Sequence, residues 1–189
     1  MAKIFEAIDG RLAEFIDRQK VFFVATSPGK HEGHVNLSPK GVDGTFTIID
    51  DRTVAYLDIV GSGIETVAHL QHDGRIVVMF CAFEGPPRVV RLHGRGSVHL
   101  PGDPVWEELI TSFPPQPGAR SVIKVSVERI SDSCGYGVPL MEYRGERGQL
   151  ADWVSRKTEA QMAEYKAAKN ARSIDGLPGL PVEEPAPAE

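Results

Sequence analysis

From Val21 to Val127 the chain is cut into short apolar or alternating runs separated by breaks rich in Gly, Pro and Asp. Val21 to Thr26, Thr45 to Ile49, Thr53 to Leu57, Ile76 to Phe80, Arg88 to His93 with its continuation to Leu100, and Ser121 to Val127 each read as a strand. His34 to Leu37 reads as another, and Pro39 is expected to end it because proline cannot donate to a sheet ladder. Only Ile64 to Leu70 and Pro104 to Thr111 interrupt the series with helical spacing. About seven or eight short strands without a repeating βαβ unit point to a mainly antiparallel barrel, mainly β or α+β in class, with helices at its edges.

Helical patterns flank this block. Phe5, Ile8, Leu12, Phe15 and Ile16 make an apolar stripe that predicts an N-terminal helix of about four turns covering one end of the barrel. Gln149 to Lys169, with Leu150, Trp153, Val154, Met162 and Tyr165 among charges, predicts one amphipathic surface helix. The expected organisation is one domain over 1–170 and a mobile tail over 171–189, where Pro, Glu and Ala from Leu177 onward offer little apolar surface. A chain of 189 residues suits a single core.

Composition narrows the function classes. The formal net charge is −5, which argues against a nucleic-acid partner. No apolar run approaches the roughly 20 residues of a membrane-spanning helix. The first residues mix charge with apolar side chains instead of forming a secretory core, so a cytoplasmic location is expected. Cys81 and Cys134 are read as reduced and structural. The 133–139 loop, with two glycines around Tyr136, reads as a tight bulge or a place of close backbone approach. His69 and His72 share a helical face, but two ligands do not make a metal site, and both are expected to be solvated; His93 reads as a satisfied strand histidine.

The chemistry-bearing stretch opens at Ser62. Ser62-Gly63-Ile64-Glu65 has the pattern of a capping box, in which Ser62 accepts from the amide of residue 65 while Glu65 reaches back. The same amides, a hydroxyl and the flexible Gly61 and Gly63 also suit an anion such as phosphate. Lys40, Arg88 and Arg91 are the candidate cations. Arg88 abuts a turn, so Arg91 is preferred.

The order of Asn36-Leu37-Ser38-Pro39-Lys40, then Leu57-Asp58 with Gly61-Ser62, then the Arg88 to Gly94 strand resembles the pyridoxamine 5'-phosphate oxidase-like family of split barrels that bind flavin mononucleotide (FMN). The resemblance implies an antiparallel split β-barrel of Greek-key type and a homodimer with cofactor sites at the subunit interface. It also implies that Asn36, Leu37, Ser38 and Lys40 line the flavin ring with backbone amides, while Leu57, Asp58, Gly61 and Ser62 lead to the phosphate. The family's vitamin B6 enzymes carry basic residues directly after that serine, where this chain has Gly63, Ile64 and Glu65. Phosphate binding would then rely on Lys40, Gly63, Thr66, backbone amides and Arg91. The expectation is an FMN-dependent oxidoreductase acting on a small molecule, with no protein acid or base singled out. The alternatives are a reductase using the deazaflavin F420 and a non-catalytic flavin-binding module.

Overall fold

The computed structural model describes residues 3–29 and 33–181. Eight strands form one curled antiparallel sheet: β1 (Lys3–Phe5), β2 (Phe22–Thr26), β3 (Asn36–Lys40), β4 (Phe46–Ile48), β5 (Thr53–Ile59), β6 (Arg75–Cys81), β7 (Val89–His99) and β8 (Ala119–Ser133). The order across the sheet is β3-β2-β6-β7-β8-β5-β4, with β1 added beside β8. The long β7 and β8 carry the bend. Their register slips between His93 and Gly94, and a Cβ on Gly94 would collide with the Ser126 backbone carbonyl. Only glycine allows the two strands to close at that bulge.

Alternation sends one side chain set into the barrel. Phe22, Val24, Tyr56, Val78, Phe80, Leu92, Ile123 and Val125 form the main core. The Phe22 ring stands edge-on to Phe46 at 5.1 Å and to Tyr56 at 5.5 Å. The opposite faces of β5 and β8 bury Ala55, Leu57 and Val122 under Trp106 and Leu109 of α3 (Pro104–Leu109) and the following Phe113. Two helices complete the inner packing: α1 (Gly10–Asp17), through Leu12, Phe15 and Ile16, and α2 (Glu65–His72), through Val67 and Leu70.

Four expectations require correction. The N-terminal helix is two turns long, because Asp9 caps it by accepting from the Leu12 amide at 2.8 Å. Phe5 lies instead in β1, opposite Ile130, with the Arg88 guanidinium over its ring. Pro39 does not end its strand but pairs with Phe23, which is possible because β3 is the sheet edge. The long C-terminal helix is two helices, α4 (Gln149–Ser155) and α5 (Glu159–Asn170), divided where Thr158 and Gln161 form a capping box. Trp153 and Tyr165 meet edge-on at 4.8 Å between them.

The fourth concerns the tail. Residues 171–181 are not a free extension but fold back, with the Gly179 amide donating to Ala171 O and the Leu180 amide to Asn170 O. Leu180 joins the main core. The segment from 182 onward lies outside the described residues.

Candidate functional site

No backbone pairing connects the edge strand β3 to β5 among the described residues; side chains close that side of the barrel. Asn36, Ser38 and Lys40 share one face of β3, and Leu37 and Pro39 take the other. Lys40 Nζ lies 2.9 Å from Asp58 Oδ1, and Asn36 Nδ2 donates to Thr66 Oγ1 at 2.9 Å. Behind this seam, Thr26 Oγ1 sits 3.0 Å from His69 Nδ1, and Ser38 Oγ donates to Asn36 Oδ1 at 3.1 Å.

Asp58 has no exposed surface. Its second oxygen accepts from Arg120 Nε at 2.6 Å and from Ser121 Oγ at 3.4 Å. Burial raises its carboxyl pKa, but the Lys40 and Arg120 charges and their hydrogen bonds outweigh that and hold it below the usual carboxylate value. One carboxylate thus serves two cations, which leaves the cluster with net positive charge.

Arg120 also organises the loop that follows β5. Its Nη2 donates to Gly63 O at 2.7 Å and its Nη1 to Gly61 O at 3.2 Å. Asn170, fully buried at the end of α5, donates to the same Gly61 carbonyl at 2.9 Å and accepts from Arg120 at 3.0 Å. With both carbonyls drawn inward, the amides of Gly61, Ser62 and Gly63 find no protein acceptor among the described residues. The arrangement is a loop whose donors are unspent, next to a buried cluster of positive charge. It suits an anion.

The sequence patterns did not reveal Arg120. Simple alternation along β8 would set it with Val122 on the outer face. The register slips where Asp58 faces Ser121 and Ile59 faces Ala119, which makes Arg120 the extra residue of a bulge. A bulge re-aims its side chain, here toward Asp58.

The structure corrects the Ser62 cap. α2 begins at Glu65 with Ile64 at the cap position and no side-chain capping bond. The Glu65 carboxylate instead accepts from the Ile174 amide at 3.3 Å. Ser62 and Gly63 are left exposed beside the loop donors.

Of the residues singled out in the sequence, Asn36, Ser38, Lys40, Asp58, Gly61, Ser62, Gly63 and Thr66 gather along the seam and its loop. The Leu37 side chain points away from it, and Leu57 is packed against the Trp106 cluster. Arg91 faces Ser131 on β8, ten residues from the Ser121 that faces Asp58, or about 30 Å of strand. Within one chain it does not reach the loop; its Nη1 donates to Ser133. Arg88 pairs with Asp132. Cys81 is buried, which raises its thiol pKa, and Cys134 is exposed. In the 133–139 loop, a Cβ on Gly135 would meet the Arg88 backbone at 2.7 Å, so the close approach there is to this chain's own β7 region.

His69 is buried rather than solvated, and its Nε2 has no partner among the described residues. Burial lowers its pKa against weaker upward pulls from Asp175 and Glu65, and burial likewise lowers that of His93, aided by Arg129 and Arg91. Both shifts favour the neutral imidazole in the fold. Between the unfolded value of about 6.5 and the depressed folded values, the unfolded chain binds more protons, so stability should fall as pH drops below about 6.5. Urea midpoints between pH 8 and pH 5 measure this, and His69→Gln should flatten the slope. A midpoint unchanged from pH 7 to pH 5 would contradict it. Among the described residues no group of three His, Cys, Asp or Glu side chains could hold a metal ion. No helix among them is long and apolar enough to cross a membrane.

Residues 8–134 match the family model described as pyridoxamine 5'-phosphate oxidase, which covers β2 to β8 and the whole seam. The chain belongs to the pyridoxamine 5'-phosphate oxidase family. Its similarity to one family member runs nearly end to end: it is 36% identical over 198 residues to the pyridoxamine 5'-phosphate oxidase family protein ustO of Aspergillus flavus, covering 95% of this chain and 78% of that one. Two solved structures share the split-barrel fold of the family. A variant form of HupZ from Group A Streptococcus aligns with a TM-score of 0.51 and 22% identity over 67% of this chain and 99% of its own. A putative pyridoxamine 5'-phosphate oxidase from Lactobacillus delbrueckii aligns with a TM-score of 0.51 and 15% identity over 68% of this chain and 98% of its own. The family match ends before α4, α5 and the closing turn, so Asn170 lies outside the matched residues.

Proposed function

We propose that this family member is a flavoprotein that binds FMN along the β3–β5 seam and acts as an oxidoreductase on a small organic molecule. The observation that carries the reading is the Gly61–Gly63 loop, whose carbonyls are held inward by Arg120 and Asn170 while its amides remain unspent beside a net-positive cluster. A phosphate ester fits that chemistry: Ser62 and the loop amides would donate to it, and Lys40 and Arg120 would supply the surrounding field. Lys40 is also committed to Asp58, and Thr66 to Asn36, so these two contribute chiefly by holding the seam shut.

The ring would lie against the free edge of β3. Alternate residues of an antiparallel strand aim their backbone groups at the partner, and Pro39 has no N–H to give to β2. That sets Leu37 with Pro39 on the open edge, where the Leu37 amide is available to a ligand. Bound flavin supplies hydride or single-electron transfer, which the protein orients and tunes. Exposed Val35 and Leu37 beside this edge favour a second copy covering it, so the functional unit is a homodimer with the cofactor at the interface, working in the cytoplasm.

The test is the visible absorption spectrum of purified protein before and after addition of FMN, with any released chromophore identified by mass spectrometry. Uptake of FMN supports the reading. Indifference to FMN with uptake of F420 would replace it by a deazaflavin reductase, and a colourless protein indifferent to both would end it. Ser62→Ala should weaken FMN binding about tenfold, the loss of one hydrogen bond to a charged group. Because Ser62 caps nothing, its urea midpoint should stay within error of wild type. Unchanged FMN affinity would remove Ser62 from the phosphate site.

A further inference from the structure

The loop that the proposed site depends on has no basic side chain after Ser62, and the two cations of the seam, Lys40 and Arg120, already share Asp58. A dianionic phosphate calls for a further positive charge. α5 supplies one. Lys166 and Asn170 are four residues apart and therefore lie on one face of that helix. Asn170 fixes where the face points, since its side chain contacts both the Gly61 carbonyl and the Arg120 guanidinium.

Lys166 sits one turn back along this face. It is half-buried and forms no ion pair among the described residues. Burial first, and the Arg120 charge second, hold its pKa below the ordinary lysine value. A lysine placed so is poorly served by the protein alone: it loses solvent, faces a like charge and gains no carboxylate. An anion bound at the loop would supply what it lacks.

We infer that Lys166 is the cation that meets the phosphate of FMN at the Gly61–Gly63 loop, with Arg120 and Asn170 acting as positioning residues that hold the loop carbonyls away from it. The inference rests on the FMN reading and deepens it by assigning the phosphate contact to a helix beyond the family match. It also accounts for the fold of the C-terminal region: α5 and the turn after it form a wall of the site.

FMN and riboflavin differ only in the phosphate, so their dissociation constants for wild type, Lys166→Gln and Lys166→Arg separate charge from packing. Lys166→Gln should weaken FMN about tenfold or more and leave riboflavin within about twofold, and Lys166→Arg should restore most of the FMN affinity. Asn170→Ala, acting through the loop, should also weaken FMN more than riboflavin. Wild-type FMN affinity in Lys166→Gln would overturn this assignment and leave the flavoprotein reading standing. Equal losses for FMN and riboflavin would overturn it too, as a packing effect. A wild-type protein without FMN affinity would overturn both.

Discussion

Asp58→Asn should lower folding stability by about 3 to 5 kcal/mol in urea unfolding at neutral pH, the cost of leaving buried charge uncompensated. The carboxylate has no exposed surface, yet it answers Lys40 at 2.9 Å and Arg120 at 2.6 Å. Asparagine keeps the shape and removes the charge. Its amide nitrogen would also face one of two donors, which turns an attraction into a mismatch. An exposed pair such as Arg18 and Glu14 offers the contrast, since breaking it should cost about 0 to 1 kcal/mol. A loss below about 1 kcal/mol for Asp58→Asn would mean that Lys40 and Arg120 recover their hydration easily. The seam would then be far wetter than its burial implies.

This carboxylate joins stability to the proposed activity. Arg120 reaches the loop carbonyls with its terminal nitrogens only because Asp58 and the bulge of β8 hold the root of its guanidinium. A barrel split at β3 has to be closed by something other than a ladder. Here Asp58, which closes the seam with Lys40, is also the residue that holds the Arg120 that shapes the loop. Asp58→Asn should therefore weaken FMN as well as unfold early, whereas Ser62→Ala should do only the first.

The barrel strands could be read from the sequence because alternation and punctuation are local signals, and each strand reading from Val21 to Val127 fell on a strand of the sheet. The expectations that failed concern what alternation does not carry. Pro39 ends a central strand but is harmless on an edge, and strand order is a property of the whole sheet. Arg120 is turned inward by a bulge, which shifts parity at one position without leaving a mark in composition. Ser62 fits a capping box by spacing, yet the pull of Arg120 and Asn170 on Gly61 and Gly63 keeps that loop out of the helix until Glu65. Arg91 matched the resemblance in order along the chain, and only the antiparallel path of β7 shows it at the far end from the loop. Asn170 and Lys166 lie more than a hundred residues from the loop they flank, beyond the reach of any local pattern.

The closing turn should prove part of the core. Leu180→Ala should cost about 2 to 3 kcal/mol, toward the low end for a buried leucine because the site lies near the surface. For a chain of this length that lowers the melting midpoint by roughly 5 to 10 °C, which differential scanning calorimetry measures directly. The residue before it carries the link to the loop. A Cβ on Gly179 would collide with the Asn170 carbonyl oxygen and stand 2.7 Å from the Ile64 side chain, so Gly179→Ala must push the turn or α5 outward. Overpacking of this kind costs about 1 to 3 kcal/mol. Since the displaced backbone is that of Asn170, Gly179→Ala should also loosen the hold on the Gly61 carbonyl and weaken FMN, an effect that Leu180→Ala, which creates space instead of removing it, should show less strongly. A Leu180→Ala protein that melts with the wild type would return residues 177–181 to the loose extension their composition suggests, and α5 would then owe its hold on the loop to the Asn170–Arg120 contact.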